Sequence, residues 1–266
     1  MNNISIANET LKIIKNGGYD LNGKEVKFPE GSYSAVWVYS PERLASVTLP
    51  DLEKEELCRF EVINADSFEA AKKYEYPLVM NFANSHVPGG GFKLGATAQE
   101  EALCRNSTLY ASIGGEAAKE MYSYNIKHFS PVDSDYLLIS PEVWVFRAPN
   151  GEKLETPYKT AVITTPAPNK RGAAAFTSQA KIDDVMLHRT RLMLKAAAEN
   201  KFKTLVLGAW GCGAFGHDPI KVSGYFKQVL VDEGFGKYFD TVCFAIYGKT
   251  DGKNYTAFNN IFGKEQ

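Results

Sequence analysis

Three consecutive glycines, Gly89, Gly90 and Gly91, are separated by seven residues from Gln99, Glu100 and Glu101, which open an amphipathic stretch. Glycines lack a Cβ, so this loop can take φ > 0 and bring main-chain N–H groups within reach of phosphate oxygens. A carboxyl group in the first turn of the following helix would then stand beside a bound anion, where it can give or take a proton. A second glycine-rich stretch, Gly208 to Gly216 before Pro219, has the same composition and could bind phosphate through its N–H groups and the helix end that follows. Two such loops, each following an apolar strand, fit a diphosphate clamped from two sides, with the ring of Phe215 placed to pack on a sugar. A purely structural reading stays open beside this one. Thr97-x-x-Glu100 fits a capping box, Glu101 can pair with Arg105 one turn on, and Phe215 can anchor its loop.

Those residues must be positioned by regular elements. Pro77 to Asn84, PLVMNFAN, is an apolar run carrying a buried strand at 78–83, which Pro88 helps to stop. Further strands are expected at 35–39, 60–64, 143–147, 161–165, 204–209 and 242–247. Helices are expected at 6–15, 67–73, 98–112, 184–199 and 219–232, with a last one at 255–262. Strands separated by helices give an α/β fold with a mixed sheet between helical layers. In such sheets the ligand loops gather at the carboxyl ends of the strands. Arg189 and Arg191 read as the solvated face of a helix.

A chain of 266 residues most economically forms one domain, and no repeat or linker marks a boundary. The net charge of −1 offers no broad attraction for a nucleic-acid backbone, so a polyanionic ligand must be recognised locally. Cys58, Cys104, Cys212 and Cys243 lie far apart without a CxxC pair, which argues against zinc or a disulfide framework. The four histidines, His86 among them, are too dispersed to form a readable metal site, although His86 sits where it could touch a ligand. The strand-to-helix spacing around the second loop differs from the dinucleotide fingerprint, and no GxxxxGK[ST] occurs. With no apolar signal segment and no run of about 18 apolar residues, the expectation is a soluble, cytoplasmic protein without membrane contact.

The GGG to QEE spacing preceded by NFAN resembles the signature of microbial-type poly(ADP-ribose) glycohydrolases, which are built on a macrodomain. TLKIIKNGGY at 10–19, VINADSFEAA at 62–71, ITTPAPN at 163–169 and LGAWGCGAFG at 207–216 resemble further family elements in the expected order. The likeness implies a three-layer α/β/α macrodomain-like fold with a central mixed sheet and an N-terminal helical extension. It would be a single domain over 1–266, with 1–58 packed on the core as that extension. It further implies hydrolysis of the ribose–ribose O-glycosidic bonds of poly(ADP-ribose), with ADP-ribose as product. Glu101 would be the catalytic acid and Glu100 its neighbour on ribose hydroxyls. Asn84 would hold the terminal ribose, and Gln99 would complete the motif, mainly as a structural residue. Gly89, Gly90 and Gly91 would form the first diphosphate loop, and Gly211, Cys212, Gly213, Ala214, Phe215 and Gly216 the second. By more distant analogy, Asp66 would accept the adenine amino group and Tyr247 would stack on adenine. Partners are poly(ADP-ribose) or an ADP-ribosylated protein, with no duplex nucleic acid; no cofactor or metal is expected, and the chain is expected to be a monomer. Two alternatives stay open: a macrodomain module that binds ADP-ribose without hydrolysing it, and a mono-ADP-ribosyl hydrolase.

Overall fold

A computed structural model describes residues 2–29, 33–51 and 55–263. Positions 1, 30–32 and 52–54 of the expected N-terminal extension, and 264–266, lie outside the described residues. A seven-stranded mixed sheet runs in the order β3 (Trp37–Tyr39), β6 (Leu137–Arg147), β7 (Lys153–Pro166), β5 (Leu78–Ala83), β8 (Thr204–Leu207), β9 (Thr241–Ala245) and β4 (Arg59–Ile63). The five strands from β7 to β4 are mutually parallel, whereas β6 is antiparallel to both of its neighbours. Five carboxyl ends therefore line up along one edge of the sheet.

Both faces of the sheet are covered, which is why its central strands read as unbroken apolar runs. Leu78 and Met80 of β5 enter one core with Met186 and Leu194 of α7 (Gln179–Glu199), Phe226 of α8 (Pro219–Lys227) and Phe258 of α9 (Lys253–Phe262). Val79 faces the other way, joining Ala7 of α1 (Asn3–Asn16), Phe68 of α3 (Ser67–Ala71), Leu103 of α4 (Gln99–Asn106), Leu109 of α5 (Leu109–Ile113) and Met121 of α6 (Lys119–Lys127). The result is the expected three-layer α/β/α arrangement. No helix among the described residues is long and apolar enough to cross a membrane.

Several elements differ from the sequence expectations for identifiable reasons. The helix expected at 98–112 breaks into α4 and α5 because Ser107 turns extended (φ −149, ψ 179) and bridges to Val145 of β6. Its hydroxyl accepts from Leu109 N–H (3.1 Å) and donates to the Leu103 carbonyl (2.8 Å), so the break is stitched from both sides. Beyond α8, residues 228–232 widen into a π turn. A hairpin of β1 (Gly18–Leu21) and β2 (Lys24–Lys27) escaped notice, although Asn22 (φ 56) and Gly23 (φ 78) make the Asn-Gly turn that favours one. The helices α2 (Pro41–Ser46) and α6 were also unanticipated.

Arg189 does not lie on a solvated face. It is buried, and it donates to Asp135 Oδ1 (2.8 Å) and to the carbonyls of Val132 (2.7 Å) and Pro166 (3.1 Å). It thus ties α7 to the end of β7 and to the loop before β6, while Arg191 faces outward to Glu233 (2.7 Å on each oxygen). Removing the buried guanidinium takes the donor from two carbonyls and from Asp135, whose side chain is itself 31% exposed. Arg189→Ala is expected to lower the unfolding free energy by about 1–3 kcal/mol in urea titrations, and Arg191→Ala by less than about 1 kcal/mol.

Candidate active site

The site begins where two strands part. β5 pairs with β7 along its whole length to Ala83, but with β8 only at Leu78 and Val79. The main-chain groups exposed by that parting are met by one side chain. Gln99 accepts from Phe82 N–H (2.9 Å) and donates to the Met80 carbonyl (2.6 Å) and to Ser67 Oγ (3.0 Å). Its amide takes the place of a peptide unit on a neighbouring strand and pins the first turn of α4 against the sheet edge.

Glu100 and Glu101 follow, both buried. The expected capping box is absent: Ala98 occupies the cap position without a side-chain bond. Glu100 instead accepts from Asn84 N–H (2.8 Å) on one oxygen and from Asn81 Nδ2 (3.2 Å) on the other. Burial pushes its carboxyl up to about 8; the bonds from Asn84 and Asn81 oppose the rise and the neighbouring Glu101 adds to it. Asn81 also donates to Thr164 Oγ1 (3.2 Å), and its Oδ1 is buried without a partner. A half-turn of this amide exchanges its two atoms and lets a protonated Glu100 donate to Oδ1, so Asn81 serves either ionisation state. Asn81 was missed in the sequence. Its signal was a lone amide inside an otherwise apolar strand.

Glu101 projects differently. Its Oε1 accepts from Gly91 N–H (2.9 Å), whereas Oε2 is buried without a partner on the wall of the cleft. Arg105 makes no ion pair with it among the described residues; the guanidinium donates to the Ala96 carbonyl instead. The triple glycine explains how two acids fit here. A Cβ on Gly90 (φ +53) would stand 2.5 Å from Glu101 Oε1 and 3.2 Å from Glu100 Oε2, and one on Gly89 (φ +71) would press on Cys104 and Tyr110. Gly90 N–H bonds to the Val87 carbonyl (2.9 Å), and none of the three glycines lines the cleft. This departs from the expected phosphate cradle: the geometry makes Gly89–Gly91 a support for the carboxylates.

The cleft, about 710 Å³, runs from the glutamates past the β8 loop to the ends of β9 and β4. Gly211, Gly213, Ala214 and Phe215 line it, while Cys212 is buried behind with Sγ near the Trp210 carbonyl, and Gly216 packs on Arg171. Among the described residues, the N–H groups of Gly213, Ala214 and Phe215 take no protein acceptor. Three free donors in succession suit an anion. His217, its ring held below the ordinary imidazole range by burial, bonds the Pro168 carbonyl (2.7 Å) and anchors this loop to the one after β7. Asn84 lines the cleft too, and its Oδ1 is spent on His86 and Val87 N–H (2.9 Å each).

At the far end stand Asp66 and Tyr247, brought together by a two-way bond between Asn64 and Gly248 (2.7 and 3.2 Å). Asp66 caps α3 through Oδ1, which accepts from Phe68 and Glu69 N–H, while Oδ2 has no bond among the described residues. Burial raises its carboxyl above the usual range. Tyr247 is 80% exposed. Asn254, beside them on the first turn of α9, buries Oδ1 without a partner; nothing in its sequence surroundings marked it.

Loops gathered over the carboxyl ends of parallel strands, with a pair of acids at one end of a shared cleft, define a macrodomain-like α/β protein equipped for acid–base chemistry. Residues 7–148 match the family model "Microbial-type PARG, catalytic domain". Poly(ADP-ribose) glycohydrolase (PARG) from Thermomonospora curvata is 36% identical over 98% of this chain and 99% of its own, with a TM-score of 0.91. The same enzyme bound to the inhibitor ADP-HPD matches at 36% identity and a TM-score of 0.88, over 97% of this chain and 98% of its own. PARG from Deinococcus radiodurans in complex with ADP-ribose matches at 31% identity, covering 90% of this chain and 98% of that one, with a TM-score of 0.77. No curated protein sequence matches. The chain belongs to the microbial-type poly(ADP-ribose) glycohydrolase family.

Two outcomes follow from the acids' surroundings. Gly90→Ala is expected to displace Glu101 and to lower stability by about 1–3 kcal/mol, read by urea unfolding. Because the Glu100 carboxyl lies at about 8 in the folded protein against an ordinary 4.5, the folded state holds the extra proton. Its contribution is whole below pH 4.5 and is lost as pH rises through about 8. Stability should fall across that window by up to about 1.4 kcal/mol per pH unit, and Glu100→Gln should flatten the slope.

Proposed function

We propose that this protein hydrolyses the ribose–ribose O-glycosidic bonds of poly(ADP-ribose) and releases ADP-ribose, with Glu101 as general acid and base. The observation that carries the reading is Glu101, a side chain lining the cleft whose Oε1 is fixed by Gly91 N–H while Oε2 is buried with no protein partner among the described residues. A carboxyl group so held is aimed at a ligand oxygen.

Cleavage needs a proton for the departing 2′-oxygen and stabilisation of an oxocarbenium-like carbon. Glu101 Oε2 supplies the proton, then takes one from the attacking water. Glu100, held by Asn84 and Asn81 and largely neutral at pH 7, keeps a second proton beside it and faces the ribose hydroxyls. Adjacent helical residues cannot straddle the bond as a pair of flanking carboxylates would, so the substrate's own diphosphate stabilises the developing positive charge. Free N–H groups at Gly213 to Phe215 hold that diphosphate, and the ring of Phe215 packs on a sugar. Asp66 Oδ2 and Asn254 Oδ1 accept from the adenine amino group, with Tyr247 stacked on the base.

The same reading takes 1–266 as one domain with 1–58 as an extension on the core, acting as a cytoplasmic monomer. Support for the extension comes from Thr10 Oγ1 donating to the Arg105 carbonyl (2.7 Å), and from Glu9 bridging Arg147 (2.8 Å) and Lys153 (3.2 Å) of the β6–β7 hairpin. Cys104, Cys212 and Cys243, which form no disulfide among the described residues, suit a reducing compartment.

Incubation of the purified protein with poly(ADP-ribose), followed by product chromatography, tests the reading. The unaltered chain should release ADP-ribose, and Glu101→Gln should lose at least about 100-fold of the rate while still binding ADP-ribose. Binding without release from either protein would make this a reader module. Release from singly modified acceptors, with the polymer left intact, would make it a mono-ADP-ribosyl hydrolase.

A further inference from the structure

The order of the loops along the sheet edge dictates where the rest of a polymer must lie. From one side to the other stand the loops after β7, β5, β8, β9 and β4. On the proposed function, on which this inference rests, one ADP-ribose unit fills four of them. Its sugar and scissile carbon lie at the β5 loop with the glutamates, its diphosphate at β8, and its base at β9 and β4. The departing part of the polymer leaves from the sugar, on the side away from the base. The next loop in that direction is the one after β7.

That loop is built as a platform. Asn169 Oδ1 accepts from Arg171 N–H (3.1 Å), and the Asn169 carbonyl accepts from Gly172 and Ala174 N–H (3.0 Å each), with Ala174 buried beneath. His217 joins it to the β8 loop through Pro168. Among the described residues, two side chains stand on it with no hydrogen bond or ion pair to protein. Phe176, closing a short 3-10 turn at 173–176, is 101% exposed, and no other large apolar side chain among the described residues is as open. Arg171 lies along Gly216, where a Cβ would stand 2.9 Å from its Nε, and among the described residues it has no carboxylate partner.

We infer that Arg171 and Phe176 form a leaving-side subsite that holds the next nucleoside diphosphate unit of the polymer. The base stacks on the Phe176 ring, and the Arg171 guanidinium takes the diphosphate as a fork takes two oxygens. In a chain of net charge −1, a cation without a carboxylate partner among the described residues and a bare ring on one braced loop are complementary to such a unit. The subsite makes the protein discriminate by what leaves: a polymer end is held on both sides of the bond, and a single unit on one side only.

The test compares ADP-ribose with a two-unit ADP-ribose oligomer, both binding to the Glu101→Gln protein, by calorimetry at two salt concentrations. The two-unit ligand should bind about 10-fold tighter, a size typical of one added base–aromatic stack. Phe176→Ala should bring the two affinities within about 2-fold by weakening the longer ligand alone. Arg171→Ala should lower the salt dependence of the longer ligand. Equal affinities in the parent, or an advantage that survives Phe176→Ala, would overturn the subsite while leaving the proposed function standing. Failure of ADP-ribose itself to bind would instead defeat the proposed function, and the subsite with it.

Discussion

The parting of β5 and β8 after Val79 is the constraint from which the site is built. Two parallel strands that stop pairing leave main-chain groups that must find partners, and here a glutamine amide supplies them. That substitution fixes more than a hydrogen-bond count. By binding Met80 and Phe82 at once, Gln99 sets both the height and the rotation of the first turn of α4 over the sheet edge. The next two residues are then committed to opposite surroundings about 100° apart around the helix. Glu100 is driven back onto the strand and Glu101 sideways onto the glycine loop. One pairing defect thus gives two adjacent, chemically identical residues different work.

Their difference is electrostatic as well as geometric. Burial makes Glu100 resist ionisation even against the bonds from Asn84 and Asn81, which keeps two neighbouring carboxylates from repelling each other in a dry place. Asn81 suits this because an amide can donate or accept at the same point. Around them, stability is spent on fixing loops rather than filling space. Arg189 braces the end of β7, Asn64 braces the ends of β4 and β9, and His217 braces β7 against β8. All of these lie at the carboxyl edge of the sheet, where the packed core offers no help.

Much of this was legible in the sequence because apolar periodicity and glycine punctuation report local chemistry. The strand at Leu78–Ala83 was located with its exact bounds, and the layered α/β class followed from the alternation of elements. The hairpin at Gly18–Lys27 was equally legible, through Asn22-Gly23, and went unread. What could not be read was anything that depends on partners distant in the chain. Ser107 leaves its helix for a bridge to Val145, and the face of α7 bearing Arg189 is covered by a loop more than fifty positions upstream. For the site, the acids and most of the residues of the second glycine loop named from the sequence lie along one cleft. The part played by Gly89–Gly91 was not: glycine permits both an approach to an anion from outside and the approach of a carboxylate from within, and only the fold decides between them. Asn254 needed the third dimension altogether.

Gly90 has a consequence for descent. Its missing side chain is the space that the Glu101 carboxylate occupies, so the two positions behave as one inherited unit. A lineage that gave up catalysis and shortened Glu101 would also release Gly90 from its tightest clash, leaving the looser approach to Glu100 and the backbone demand of φ +53. Asparagine and aspartate tolerate that demand best. Paired drift at these two sites, glycine to Asn or Asp together with loss of the acid, would be the fossil mark of an enzyme turned binder.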